Sequence, residues 1–385
     1  MKFVEITEDK FRDFAKNSPY KSFMQTPEIA KLREKDGWKT HYVAVENKGT
    51  IEAATMLVEK PTFLKKSTFL APGGPLLDFE NKSLANFFLK NLKNYTKAHN
   101  GYALQISPYY ELIERGRNGE KIEGGFDHRK TLETLKTLNF KPTNKTSQPK
   151  YLFVMDLNGR TEEELLSDQK RNTRNHIRKA EKMGVKIREL KREELKVLKD
   201  ITEKTSKRRG FTDRPLEYYE QMYDLFHDRG EVKFVVAEAE LLPSSRSSGA
   251  WQGEGKRAVP VATGDGDAGR ERVKVSLSAA MFMLTGDEIV YLFSGSDEKY
   301  MHDYNAQYLI QWDIIKHAAK NGFKRYNFYG IHALPTENEN DGIYDFKKGF
   351  DSKYGHVVEL IGTFETPLNT PVYKFHKILS KLKNL

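Results

Sequence analysis

Cysteine is absent from the 385 residues, which removes disulfides, zinc-thiolate sites, iron–sulfur clusters and thiol nucleophiles together and fits a reducing compartment. The ten histidines are scattered without a His-x-x-x-His pair, so no metal centre is expected. No Gly-x-Ser-x-Gly elbow is present to carry a covalent nucleophile. Neither half contains the Arg/Gln-x-x-Gly-x-Gly/Ala run of an acyl-CoA pyrophosphate loop. No apolar run reaches the length of a transmembrane helix, and Met1–Lys10 has charges where a signal peptide has its apolar stretch. Acidic residues are the minority: 54 Asp+Glu against 64 Lys+Arg leave a formal +10. The expectation is a soluble, cytoplasmic protein with anionic partners, which charge alone does not choose among.

Aromatic residues are plentiful, and the last third concentrates them in Val290-Tyr-Leu-Phe-Ser-Gly-Ser296, Arg325-Tyr-Asn-Phe-Tyr-Gly330 and Ile343-Tyr-Asp-Phe-Lys-Lys-Gly-Phe350. The first two read as strands, joined by a helical run from Asn305 to Asn321 that returns the chain in parallel as a βαβ unit. In the third, Lys347 sits beside Phe346 among aromatics, where a partly desolvated ammonium acts strongly on a nearby oxygen. The plainer reading is a lysine on a solvent-facing strand position.

Basic residues also cluster. Residues 161–184 read as one helix opened by a Thr161/Glu164 capping box, with Arg171, Arg174, Arg178 and Lys182 along one face as candidate phosphate contacts. At the other end, Phe375, Ile378, Leu379 and Leu382 share a helical face among Lys374, Lys377, Lys381 and Lys383. That is a terminal helix docked on the core or, on a sharper reading, one that also touches an anionic membrane.

Residues 41–59 read as two strands turning at Asn47-Lys-Gly49; Val232–Glu238, Val275–Leu284 and Ile289–Phe293 repeat the meander. The same order, helices then meander then βαβ, is used twice, with Tyr102–Ser107 and Tyr151–Asp156 as further strands and 108–150 loop-like apart from a helix near Thr131–Leu138. The expected class is α/β with α+β character, a first domain at 1–148 plus about 362–385, a second at 149–361, and a boundary near Thr146–Lys150. A glycine- and serine-rich stretch at 242–270 reads as an exposed insert, and its Asp265-Gly-Asp267 lacks the spacing of a calcium loop. Arg214 before Pro215 is held extended at a helix start, a place suited to clamping a phosphate, with Tyr218 one turn on. Singly, these read as an ion pair with Asp213 or Glu217 and as core packing.

Taken in order, Ser18-Pro-Tyr20 with Gln25, Ser206-Lys-Arg-Arg-Gly-Phe-Thr-Asp-Arg-Pro-Leu-Glu-Tyr-Tyr219, Tyr291–Ser296, Arg325–Gly330 and Asp345–Phe350 closely resemble the Fem family of peptidoglycan aminoacyltransferases. The resemblance implies two tandem GNAT-like (acyl-CoA N-acyltransferase-like) domains. It implies transfer of an amino acid from aminoacyl-tRNA to an amine of a lipid-linked or UDP-linked muramyl-pentapeptide, without a cofactor, at or near the inner membrane face. By position, Lys347 and Phe346 match the family's Phe-Lys pair at the acyl-transfer centre. Arg214 and Tyr218 match residues that hold the precursor's phosphates, with Lys31 reaching them from the first domain, and Tyr291 matches an aromatic of the acceptor channel. Phe293 stands where some members have tyrosine, Ser107 where several have an acid, and the insert where bridge-forming members carry a helical hairpin. Two other classes are weighed: an acyl-CoA-dependent N-acyltransferase, and a non-catalytic RNA- or membrane-binding protein.

Overall fold

A computed structural model describes residues 1–62, 65–145, 148–241, 272–334 and 342–382, the last three without their side chains. The expected insert at 242–270 with Asp265-Gly-Asp267, Thr146 of the expected boundary, and Lys383 lie outside the described residues.

The strands form a seven-stranded sheet in the order Lys2–Glu5, Lys39–Asn47, Thr50–Pro61, Ser67–Gly73, Gly101–Pro108, Phe364–Pro367, Lys141–Pro142. An eight-stranded sheet has the order Glu111–Arg115, His356–Leu360, Tyr151–Asp156, Arg325–Ile331, Glu288–Ser296, Val273–Thr285, Val232–Leu241, Lys186–Glu189. The chain divides into two units, Met1–Val154 with Tyr329–Tyr344 and His356–Leu385, and Met155–Phe328 with Asp345–Gly355.

In the first unit the meander turns at Lys48 and Gly49, both at positive φ as a tight hairpin turn demands. The next strand, Ser67–Gly73, is joined to Gly101–Pro108 by the helix Lys82–Ala98, which Asn81 caps by accepting from the Leu84 amide. Leu84, Ala85, Phe88, Leu89 and Leu92 fall on one stripe of that helix and are buried in the core over the sheet. The two strands pair in parallel from Ser67↔Gly101 to Gly73↔Pro108. The chain end returns here: Phe364–Pro367 pairs antiparallel with Gly101–Pro108, and the helix Thr370–Leu382 rests His376 on Tyr102, ring centroids 5.3 Å apart. Two sequence expectations change in this unit. The stretch after Pro108 contains the strand Glu111–Arg115, pinned by Arg115 to the buried Glu359, and Phe375 and Ile378 of the last helix are exposed.

In the second unit Val232–Leu241 pairs with Val273–Thr285, which turns into Glu288–Ser296, and the helix Ala306–Lys320 carries the chain to Arg325–Ile331. The βαβ expectation holds. The parallel pairing covers three residues, Glu288↔Arg325 to Val290↔Asn327, and beyond it, among the described residues, Tyr291–Ser296 pairs with its antiparallel partner alone, so the strands part. A bulge lies at this point: Phe282 opposes Tyr291 and Met281 opposes Phe293, leaving Leu292 as the extra residue. Tyr291 and Phe293 therefore leave the strand on opposite faces. The helices Leu195–Arg209 and Leu216–Phe226 serve the Phe293 face, with Phe293 edge-on to Tyr219 at 5.8 Å. The Ala306–Lys320 helix serves the other, where Gln311 accepts from the Tyr326 hydroxyl at 2.7 Å.

Candidate active site

Six of the expected site residues, Phe346, Lys347, Tyr291, Arg214, Tyr218 and Phe293, fall into two groups in the second unit. The segment read as extended around Lys347 is instead the helix Gly342–Lys348, and this corrects the solvent-facing alternative: Lys347 is only 6% exposed. Gly349 ends the helix and lets the chain close on its neighbour, since a Cβ there would sit 2.4 Å from Thr173 Oγ1. The Gly349 carbonyl accepts from the Lys170 amide at 2.8 Å.

Phe346 meets Tyr308 edge-on at 4.9 Å and Phe350 at 5.3 Å, and Tyr308 stacks on His176 at 4.5 Å. From Phe350 a run of ring contacts passes through Phe328, Tyr326 and Phe282 to Tyr291, each step between 4.8 and 6.4 Å. Phe346 and Tyr291 thus belong to one aromatic wall, and the buried Lys347 follows Phe346 along the helix. Burial pushes the Tyr291 phenol up to about 12 against the hydrogen bond it donates to Ser294 and the positive charge of Arg209, so it is a neutral hydroxyl at any physiological pH. Burial, with Lys179 nearby, lowers the His176 pKa and favours the neutral imidazole.

The second cluster begins at the loop 211–215. Pro215 caps Leu216–Phe226 with an extended backbone, its ring fixing φ at −66°, and Arg214 before it is exposed with its guanidinium 5.2 Å from the centre of the Tyr218 ring. Tyr218 is edge-on to Phe293 at 5.9 Å. Asp213, the expected ion-pair partner of Arg214, is bound elsewhere: it accepts from Lys199 at 2.8 Å, Thr202 at 2.9 Å and Tyr219 at 2.9 Å. Burial alone would raise its pKa, and these three donors reverse that and hold it low. The loop is thereby fastened through Asp213, and Arg214 points outward over its tyrosine.

The basic stretch differs from its expectation. The Thr161/Glu164 capping box forms as read, but the run is two helices, Glu162–Ser167 and Arg171–Lys182, broken at 168–170. Asp168 causes the break. Its buried carboxylate accepts from Arg160 at 2.6 Å and pairs with Lys353 at 2.5 Å, while its carbonyl accepts from the Ser352 amide at 2.7 Å. Arg160 also donates to the fully buried Asp351 at 2.7 Å. Arg174 leaves the phosphate stripe, because its half-buried guanidinium donates to the carbonyls of Ser167 and Gln169 at the end of the first helix. Arg171, Arg178 and Lys182 remain exposed.

The Arg160–Asp168–Asp351–Lys353 network fastens the chain just after Lys347 to the start of the basic helix, and sequence reasoning did not find it. Arg160 and Asp351 are 191 positions apart, so no local pattern pairs them; a charged residue that ends a helix prematurely, Asp168, was the available signal. Lys31 lies in the first unit, on the helix Pro27–Lys35, half-exposed and 3.6 Å from Glu8.

The family description FemAB matches residues 6–245 and 267–381. The chain belongs to the FemAB family. Aminoacyltransferase FemA of Staphylococcus aureus strain N315 is 28% identical over 422 positions, with all of this chain and 99% of that one covered. The same figures hold for strain RF122. A crystal structure of FemX has a TM-score of 0.76 at 21% identity, covering 97% of this chain and 99% of its own. A tandem GNAT protein from the clavulanic acid biosynthesis pathway has a TM-score of 0.52 at 9% identity, covering 95% and 98%. The fold of this FemAB protein is the expected pair of GNAT-like domains.

Proposed function

We infer that this FemAB protein is an aminoacyltransferase that moves an amino acid from aminoacyl-tRNA to an amine of the peptidoglycan precursor, on its stem peptide or on the interpeptide bridge. The observation that carries the reading is a lysine 6% exposed directly after Phe346, whose aromatic wall runs to Tyr291 beside the parting strands. An ester on tRNA is already activated. The neutral acceptor amine adds to the ester carbonyl, a C–N bond forms, the C–O bond to the terminal ribose breaks, and the amine's proton ends on the departing ribose oxygen.

Positioning of amine and ester supplies on the order of 7–11 kcal/mol, and one charged donor to the developing oxyanion roughly 3 kcal/mol more. Lys347 is that donor: with few waters around it, its ammonium acts through a lower effective dielectric than a surface lysine. Phe346 bears on the bound acyl-tRNA terminus. Arg214, Tyr218, Tyr291 and Phe293 receive the precursor, and Arg171, Arg178 and Lys182 meet tRNA phosphates. The acceptor is lipid-linked or UDP-linked muramyl-pentapeptide, met in the cytoplasm or at the inner membrane face.

The test supplies labelled aminoacyl-tRNA, labelled acyl-CoA, or neither, with a lysine-containing muramyl-pentapeptide acceptor. Label moving from aminoacyl-tRNA alone is the expected result. Label moving from acyl-CoA would replace the reading by an N-acyltransferase, and movement from neither would leave a binding protein.

A further inference from the structure

The last helix, Thr370–Leu382, has two faces of different character. Its inner face is fixed to the first unit: Tyr373 donates to Glu365, His376 rests on Tyr102, and Val372 and Leu379 are half-buried. Its outer face carries Phe375, 49% exposed, and Ile378, 58% exposed, one helical turn apart. Exposed Lys374 flanks them, while exposed Lys377 turns toward the inner side, its ammonium 4.0 Å from Glu365 and 4.6 Å from the centre of the Tyr373 ring.

We propose that this outer face is a docking surface for an anionic lipid bilayer. The proposal rests on the lipid-linked form of the acceptor in the reading above. The chemistry favours lipid over a protein partner of ordinary surface. Two large apolar side chains with a long cation beside them match an interface whose outer layer is negative and whose next layer is hydrocarbon. The Lys374 stem then lies along apolar surface while its ammonium reaches the headgroups. Among the described residues no helix is long and apolar enough to cross a membrane, so the contact is peripheral. Each lysine near such a surface strengthens partitioning about five-fold, and the screening length of about 10 Å at 0.1 M salt makes that part salt-sensitive. Sinking the exposed parts of Phe375 and Ile378 adds on the order of ten-fold each. The helix stays folded while it does so, because its inner face keeps its own contacts.

The experiment compares the full chain with a Phe375→Glu/Ile378→Glu variant and with Lys374→Glu. Sedimentation is measured with phosphatidylcholine vesicles, with and without phosphatidylglycerol. Transfer is measured to a UDP-linked acceptor in solution and to a lipid-linked acceptor embedded in the same vesicles. Circular dichroism confirms the fold. The expected result is binding that needs phosphatidylglycerol and is at least about 30-fold weaker in the double variant. Binding is also about five-fold weaker or more in Lys374→Glu. KM for the embedded acceptor should rise while transfer to the soluble acceptor is unchanged.

Equal vesicle binding by wild type and double variant would overturn the assignment to this helix while leaving the lipid-linked reading intact. Absence of vesicle binding, with a wild-type dimer in ultracentrifugation that the double variant breaks, would assign the face to a second copy instead. Absence of transfer by wild type to either acceptor would sink the functional reading, whereas the sedimentation result would still decide what the helix does.

Discussion

The two units each build a parallel strand pair around a crossover helix, and the pairs end differently. In the first unit the pair runs hydrogen-bonded from Ser67↔Gly101 to Gly73↔Pro108, and the groups at its end are occupied from within. Gln25, buried completely, donates to the carbonyls of Met56 and Pro72 and accepts from the Met56 amide and the Thr55 hydroxyl. Gln148 donates to the carbonyls of Ser107 and Pro108, and the Ser107 hydroxyl is bonded to Thr363. Ser107 is therefore a structural residue, and nothing about it offers a base. In the second unit the pair parts after Val290↔Asn327, and aromatic rings stand on the face reached by Tyr291, with the buried Lys347 following Phe346 in the chain. One template gives a closed wedge that holds a domain together and a parted one faced by aromatic rings. The divergence traces to two local causes: a single extra residue at Leu292, and which side chains fill the end.

The comparison breaks most clearly at Lys347. Lys347→Met keeps an apolar chain of similar length inside the wall and removes the charge. Turnover with charged tRNA should fall on the order of 10²–10³-fold, the cost of one oxyanion donor, while precursor affinity by calorimetry stays within about two-fold. If turnover were unchanged, the open wedge would have lost its chemical role.

The next largest effect concerns what holds Lys347 in place. Asp168→Ala leaves Arg160 and Lys353 without the carboxylate they share, which should cost about 3 kcal/mol of stability in denaturant unfolding. The pH dependence gives an independent reading. Burial works against the charged form of Asp168, but hydrogen bonds from Lys353 and Arg160 outweigh it and hold its pKa below the ordinary value. A depressed carboxylate stabilises the fold above its unfolded pKa of about 4 and loses that contribution as the pH falls through the folded value. The variant should therefore show a shallower acid limb below about pH 4 than wild type, and a limb of unchanged slope would remove Asp168 from the network.

Gln25→Leu tests the closed wedge. It strips the amide from Met56 and Pro72 and should cost about 2 kcal/mol. Single-turnover transfer by the folded fraction should not change. A loss of turnover beyond that of stability would mean that the first unit's wedge also takes part in chemistry.

Much of this was legible beforehand because it rests on local pattern. The period-two runs gave the strands, Asn47-Lys-Gly49 gave the turn that Lys48 and Gly49 make, and Thr161/Glu164 gave its cap. Lys347, Arg214 and Tyr218 become candidates only through their order along the chain, since each alone has an ordinary explanation. What escaped depends on distant partners. The helix break at Asp168 needs Lys353 and Arg160, the withdrawal of Arg174 from the phosphate stripe needs that break, and the inward turn of Lys347 needs a helix that the aromatic run around it disguised as a strand.

The smallest expected effect separates Tyr291 from Lys347 within the open wedge. Tyr291 belongs to the aromatic wall and Lys347 follows Phe346 of that wall, but the Tyr291 hydroxyl already donates to Ser294, and with its pKa near 12 it remains neutral through the working range. Tyr291→Phe keeps the ring against Phe282 and removes one hydrogen bond between partners of modest strength, about 1 kcal/mol, so KM for the precursor should rise no more than about five-fold. The pH–rate profile should keep its shape up to pH 10, because no proton leaves this residue there. A profile that lost its alkaline limb in the variant would make the phenol a proton-transfer group and move the chemistry from the lysine toward the strand, and the wall would then be more than a lining.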